Sequence, residues 1–172
     1  GLARKPGRRL SRLIVLLSDL SAETALEIAT RLRFSKHDAH WMFMILERWQ
    51  SVGAGMSRAL VQGEPDATSV RRWIAAIGRP QLAASFRLAA ARWAARRRIS
   101  PNNASVPTAR AVHSLYRRCL RAALTEPVDL RDLAVDGDDL RQAGIQPGPE
   151  LGKILSALLE LAIEDPRRNT RD

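Results

Sequence analysis

Apolar residues recur every three or four positions along almost the whole chain, and almost nowhere do they alternate with polar ones. Leu82, Phe86, Ala89 and Trp93, at spacings of four, three and four, are the plainest example. A 3.6-residue period gathers such residues on one stripe of a helix, whereas a half-buried strand needs a period of two. The fold class expected is all-α.

Turn residues divide this pattern. Arg8 to Leu20 reads as one helix. Ser21 is placed to cap a second running to about Leu32, and Ser35 a third running to about Gln50, because a serine oxygen accepts a first-turn N–H. Gly53 and Gly55 read as a break before a short helix from Met56 to Val61. Ala67 to Ile77 follows and stops at Gly78. Pro80 opens another helix to about Arg97, and a long one runs from about Pro107 to Thr125. Two more follow Glu126-Pro127: a short helix after the acidic turn Asp136-Gly137-Asp138-Asp139, then an apolar helix opened by Pro149, whose missing N–H costs nothing at a helix start. The expected architecture is an irregular bundle of about nine helices with a C-terminal helix-turn-helix tail unit. Ser100-Pro101-Asn102-Asn103 is the clearest internal break. It divides a helical region (1–100) from a long basic helix plus C-terminal unit (101–172). After Asp165-Pro166 the polar chain is expected to fray.

A chain of 172 residues can bury a real core. No apolar run reaches membrane-spanning length, so no membrane partner is expected. The lone Cys119 excludes an internal disulfide framework, which points to a reducing cytoplasm. It shares a helical face with Val112, Leu115, Tyr116 and Ala123 and reads as a buried, inert thiol. The four Trp (41, 49, 73 and 93) fall on apolar faces and read as core.

Charge placement says more than the net value of +10. Between Asp66 and Glu126 there is no carboxylate, yet the interval carries 12 Arg, while acids outnumber bases in the rest of the chain. A block of one sign repels itself unless a polyanion or a membrane surface is near. Arg110, Arg117 and Arg121, with Arg118 beside them, form a helical array able to track a line of phosphates. Arg92, Arg96, Arg97 and Arg98 crowd a helix end, where cations can serve either a polyanion or the helix dipole. Gly144, Gly148 and Lys153 form a second candidate phosphate site, since a glycine-led helix start offers free N–H groups. Its alternative is a purely structural turn.

The run from Val128 to Asn169, VDLRDLAVDGDDLRQAGIQPGPELGKILSALLELAIEDPRRN, carries a further reading. It resembles the C-terminal tail of bacterial tRNA nucleotidyltransferases (CCA-adding enzymes) and their poly(A) polymerase relatives, down to the closing acidic-Pro-x-x-Asn. Arg31-Leu32-Arg33-Phe34-Ser35 is similar to a step in the body of that family, and Arg9 to Leu20 to the helix preceding it. The resemblance spans nearly the whole chain and is specific over 128–169. It implies the body-and-tail portion of such an enzyme, with 1–100 as the end of its neck and its body, 101–172 as a long basic helix plus the tail domain, and tRNA or another RNA as partner. In the family, Mg²⁺ acts with CTP and ATP in a catalytic head. No cofactor is expected in this chain, which has neither the Gly-Gly-x-x-Arg-Asp loop nor the strand-borne Asp pair of that head. Alone it should not transfer nucleotides.

Some spellings look catalytic and are read otherwise. Asp136-Gly137-Asp138 has the spacing of an Mg²⁺-holding pair, but it sits in a turn where Asp138 or Asp139 can cap the next helix. Glu164-Asp165-Pro166-Arg167-Arg168 matches the family's templating motif, yet Pro166 would interrupt the helix that motif occupies. His37-Asp38 and the His37/His40 pair lack further ligands. No catalytic or metal-binding residue is therefore expected. Gly1, without an initiator Met, fits an excised or processed fragment. Two other classes stand beside this reading: a stand-alone helical nucleic-acid-binding module using the turn from Gly144 to Lys153, and a protein-interaction module without enzymatic activity. In the second, the tail would make a homodimer contact and the Arg block would meet an acidic partner.

Overall fold

Eight α-helices and three short 3₁₀ turns, with no strand, make up residues 8–171, the part of the chain that a computed structural model describes. Gly1 lies outside the described residues. In order the helices are α1 (Arg8–Leu17), α2 (Ala22–Arg31), α3 (Lys36–Gln62), α4 (Ala67–Ile77), α5 (Leu82–Ile99), α6 (Ala109–Thr125), α7 (Gly137–Gln142) and α8 (Pro149–Glu164). They form two compact units, each made of two separate stretches of chain. The first comprises Gly1–Glu64 with Pro80–Ser114, the second Pro65–Arg79 with Leu115–Asp172. The Ser100–Asn103 break falls inside the first unit, and α6 begins in one unit and ends in the other.

In the first unit α2 lies along α3, while α1 and α5 pack against α3 and each other. The serines cap as their positions predict. Ser21 Oγ accepts from Thr24 N at 3.1 Å, and Ser35 Oγ accepts from Asp38 N at 3.1 Å while donating to the Asp38 carboxylate at 2.9 Å. The break expected at Gly53 and Gly55 does not occur. α3 runs unbroken for 27 residues because its buried stripe continues through Trp49, Val52, Gly53, Met56 and Leu60. Gly53 is a packing residue: a Cβ there would lie 2.6 Å from the Trp49 ring, which folds back over its own helix. Trp49 then meets Trp93 of α5 edge-on, ring centroids 5.6 Å apart, a favoured aromatic geometry. These two Trp are buried, whereas Trp41 and Trp73 are only half-buried. Pro80 lies in a 3₁₀ turn (Arg79–Gln81), and the helix starts after it, at Leu82.

In the second unit α8 packs on α4, α7 and the 3₁₀ turn Leu130–Asp132. Val70, Ile74 and Ile77 of α4, Leu115 and Cys119 of α6, and Ile163 of α8 are buried. The acidic turn is a capping box, and the cap is Asp136 rather than Asp138 or Asp139. Its carboxylate accepts from the N–H groups of Asp138 (2.8 Å) and Asp139 (3.0 Å), and Asp139 returns the favour to Asp136 N at 3.0 Å. The acid two residues earlier than expected wins because only it has the extended backbone of a cap. Gly144, at φ +92°, closes α7 in a left-handed conformation, with Ile145 N reaching Leu140 O at 3.0 Å.

The end of the chain is pinned, where polarity alone predicts fraying. Asn169 uses both halves of its amide: Oδ1 accepts from Ala134 N at 2.7 Å and Nδ2 donates to Asp132 O at 2.8 Å. Arg171 Nε donates to Ala134 O at 2.9 Å. A primary amide offers one acceptor and two donors on a planar frame, so it can bind a stretch of backbone as another strand would.

Candidate nucleic-acid interface

The 12 Arg of the acid-free interval are not one population, because half of them are bonded within the protein. In the second unit Arg71 is buried, and its guanidinium is fully engaged. Nε donates to Ile163 O at 2.5 Å, one terminal nitrogen to Glu126 at 2.7 Å, and the other to Thr68 Oγ1 at 3.0 Å and Glu164 O at 3.2 Å. Two of these acceptors are carbonyls at the end of α8, where no following turn supplies N–H partners. Arg79 does the same for α6, donating to Ala123 O at 2.5 Å and to Asp132 at 2.7 Å. Asp132 also accepts from Val128 N and Asp129 N. Burial pushes its carboxyl upward, but the Arg79 hydrogen bond and these two N–H groups outweigh that and hold it below the usual aspartate range. Arg72 pairs with Glu164 at 2.9 Å and Glu160 at 3.5 Å, and Arg118 donates to Pro65 O at 2.8 Å.

The first unit spends two more. Arg92 bonds Ser18 Oγ and the Asp19 carboxylate, tying α5 to the end of α1. Arg97 donates to the carbonyls of Val106 and Pro107. Arg92, Arg97 and Arg118, three of the expected phosphate ligands, are therefore occupied inside the fold. Their partners sit 74, 9 and 53 residues away in sequence.

Six remain exposed and without a partner among the described residues: Arg87, Arg96, Arg98 and Arg110 in the first unit, and Arg117 and Arg121 in the second. Arg117 and Arg121 stand one turn apart on α6, opposite the buried Leu115, Cys119, Ala122 and Ala123, and Arg110 lies two turns earlier on the same helix. This stripe is not purely cationic. Leu120 is 40% exposed and Leu124 86%, so apolar side chains interleave with the two guanidiniums. Helical spacing puts Arg117 and Arg121 on the solvent side, and the three-residue offset of Leu120 and Leu124 from them puts the leucines there too, which the charge pattern alone does not reveal. The phosphate ligands expected from sequence also leave out Arg87.

The glycine turn has the geometry of an open helix start. Gly148 precedes Pro149 without any side-chain cap, and no atom lies near the place its Cβ would take. Lys153, one turn in, is exposed and has no partner among the described residues, but Glu150 occupies the first turn and offers a competing negative charge. The acidic spellings are committed elsewhere. Asp136 and Asp139 form the capping box, Asp138 pairs with Arg141, and Asp165 accepts from Arg167 N at 3.1 Å at the exit of α8.

Cys119 is fully buried, and burial pushes its thiol up to about 12, with the charge of Arg118 pulling weakly the other way. Almost no thiolate exists at neutral pH, and the thiolate is the reactive form. A disulfide-exchange reagent at pH 8 should leave the folded protein unmodified over hours and titrate one thiol once denaturant is added. Rapid reaction without denaturant would contradict this burial.

No helix among the described residues is long and apolar enough to cross a membrane. No family model, curated protein or solved structure matches this chain.

Proposed function

We propose that this chain is the RNA-holding body and tail of a tRNA nucleotidyltransferase-type enzyme, gripping tRNA by backbone and shape. Nucleotide addition to the RNA 3′ end would belong to a catalytic head that these residues do not include. The observation that carries the reading is the exposed pair Arg117 and Arg121 on α6, without a partner among the described residues and within an interval lacking any carboxylate, with Arg110 earlier on the same helix as a further contact. The resemblance of 128–169 to the family's tail supplies the substrate class. A-form RNA presents phosphates and 2′-hydroxyls rather than readable base edges to a helical surface. Guanidiniums suit this task because they stay charged and fork onto phosphate oxygens. Three further exposed cations, Arg96, Arg98 and Lys153, and the open helix start at Gly148 are secondary contacts in this reading.

The test is a gel-shift titration with tRNA. Arg117→Glu with Arg121→Glu should lower affinity at least about tenfold, and should flatten the dependence of log affinity on log salt by about 1 to 2. Unchanged affinity and slope would remove α6 from the interface. A protein partner on the same face is favoured by one observation, the exposure of Leu124. Leu124→Gln leaves the charges intact, so a loss of tRNA binding with Arg117/Arg121 but not with Leu124 supports phosphate contact.

A further inference from the structure

The first unit carries an apolar groove that the RNA reading does not use. It lies between α1 and α5, with Trp41 of α3 at its floor, and holds about 520 Å³. Val15, Trp41 and Leu88 supply its surface, and Ala84 and Ala91 on α5 leave the space because their side chains end at Cβ. Among the described residues its charged lining is Arg12 and Arg87, one on each wall, both exposed and without a partner there. A second hollow of about 460 Å³ adjoins it, sharing Arg12 and Leu16 and bounded by Leu32 and Phe34. Leu16, the ridge between the two, is 77% exposed, and Leu32 is 57% exposed. Large side chains left open in this way, in a pair of linked hollows, mark a surface built to be covered.

We infer that this groove docks an amphipathic helical segment of a protein partner, with leucine- or phenylalanine-like anchors seated on either side of Leu16 and acidic residues facing Arg12 and Arg87. Charge complementarity selects the occupant. Both walls present guanidiniums, and no carboxylate among the described residues lines either hollow, so an acidic flank gains two ion pairs that a basic or neutral one lacks. The apolar lining argues for side-chain anchors over nucleobases, whose edges would lose their hydrogen bonds to water and find few partners here. Openness along its length argues for a preformed helix over a flexible lipid chain, since a shallow groove removes too little of the chain from water. The anchors would repeat at helical spacing, the usual reading of helix-in-groove recognition.

The experiment is selection of a displayed library of random short peptides on the full chain, followed by fluorescence-anisotropy titration of the enriched sequences. Enrichment of acidic sequences with apolar residues at i, i+3 or i+4 and i+7 is expected. Arg12→Glu with Arg87→Glu should weaken them at least about tenfold, and Leu16→Gln should do so independently. All three side chains are exposed, and Arg12→Lys with Arg87→Lys should keep most of the affinity, which separates charge from folding. Enrichment of nothing, enrichment of basic or uncharged sequences, or binding indifferent to these substitutions would overturn the inference. So would displacement of the peptides by tRNA in a manner lost with the same Arg12/Arg87 variants, which would give the groove to RNA. None of these outcomes depends on Arg117 or Arg121, so the fate of the RNA reading is decided separately.

Discussion

Arg71→Ala should cost the second unit about 3 to 5 kcal/mol, toward the lower figure because Glu126 keeps one third of its side chain in water. The loss has two sources. Glu126 keeps a charge with no counterion, and the carbonyls of Ile163 and Glu164 lose donors at a helix end packed against α4. Domains of this size are stable by only about 5 to 15 kcal/mol, so the change is a large fraction of the whole. Urea denaturation followed by circular dichroism gives the magnitude. Hydrogen exchange read on peptides from 65–79 and 115–171 localises it. Arg71→Lys should fall between wild type and Ala, because one ammonium cannot reach two carbonyls, a hydroxyl and a carboxylate in the geometry of a planar fork. A loss below about 1 kcal/mol for Ala would mean that the guanidinium contributes no more than an exposed pair does.

Asn169→Ala should be the second largest effect, about 2 kcal/mol, since it removes two backbone hydrogen bonds from partly buried groups. The amide N–H of Ala134 and the carbonyl of Asp132, both on half-buried residues, are left without their partner. Exchange at Ala134 should accelerate more than exchange anywhere in α4, which distinguishes local release of the chain end from general loss of stability. Asn169→Asp keeps the acceptor for Ala134 but loses the donor and sets a negative charge against a carbonyl. It should be at least as damaging as Ala. Protection at Ala134 unchanged in both variants would show that the chain end is held by other means.

The all-α class was legible because periodicity is written locally, and so were the caps that need only three residues to recognise. Ser21, Ser35, Gly78 and Pro149 all take the positions their chemistry predicts. Gly53 misled because glycine in a helix usually reports backbone freedom, whereas here it reports the bulk of a tryptophan one turn away. The charge block was legible as a block but not as individuals. Nothing local separates Arg117, which faces solvent, from Arg118, which reaches Pro65. Arg71 left a faint sign, falling beside the buried stripe of Val70, Ile74 and Ile77, where a charged residue needs a partner. That partner lies far along the chain, so the sequence could raise the question without answering it. The apolar groove had no local signal at all, since Val15, Trp41 and Leu88 meet only after α1, α3 and α5 have packed.

The interleaving of the two units sets an order of events during synthesis. Translation delivers α4 early, but Arg71 finds its carbonyl acceptors 92 and 93 residues later, at the end of α8. Until then the first unit can close once Ser114 has emerged, while α4 waits as an amphipathic helix whose guanidinium has Thr68, and later Glu126, but not the two carbonyls that complete its set. A ribosome stalled anywhere between Thr125 and Ile163 would therefore hold one finished unit and one open one. Asn169 and Arg171, later still in the order of synthesis than α8, close onto Ala134 and complete the second unit.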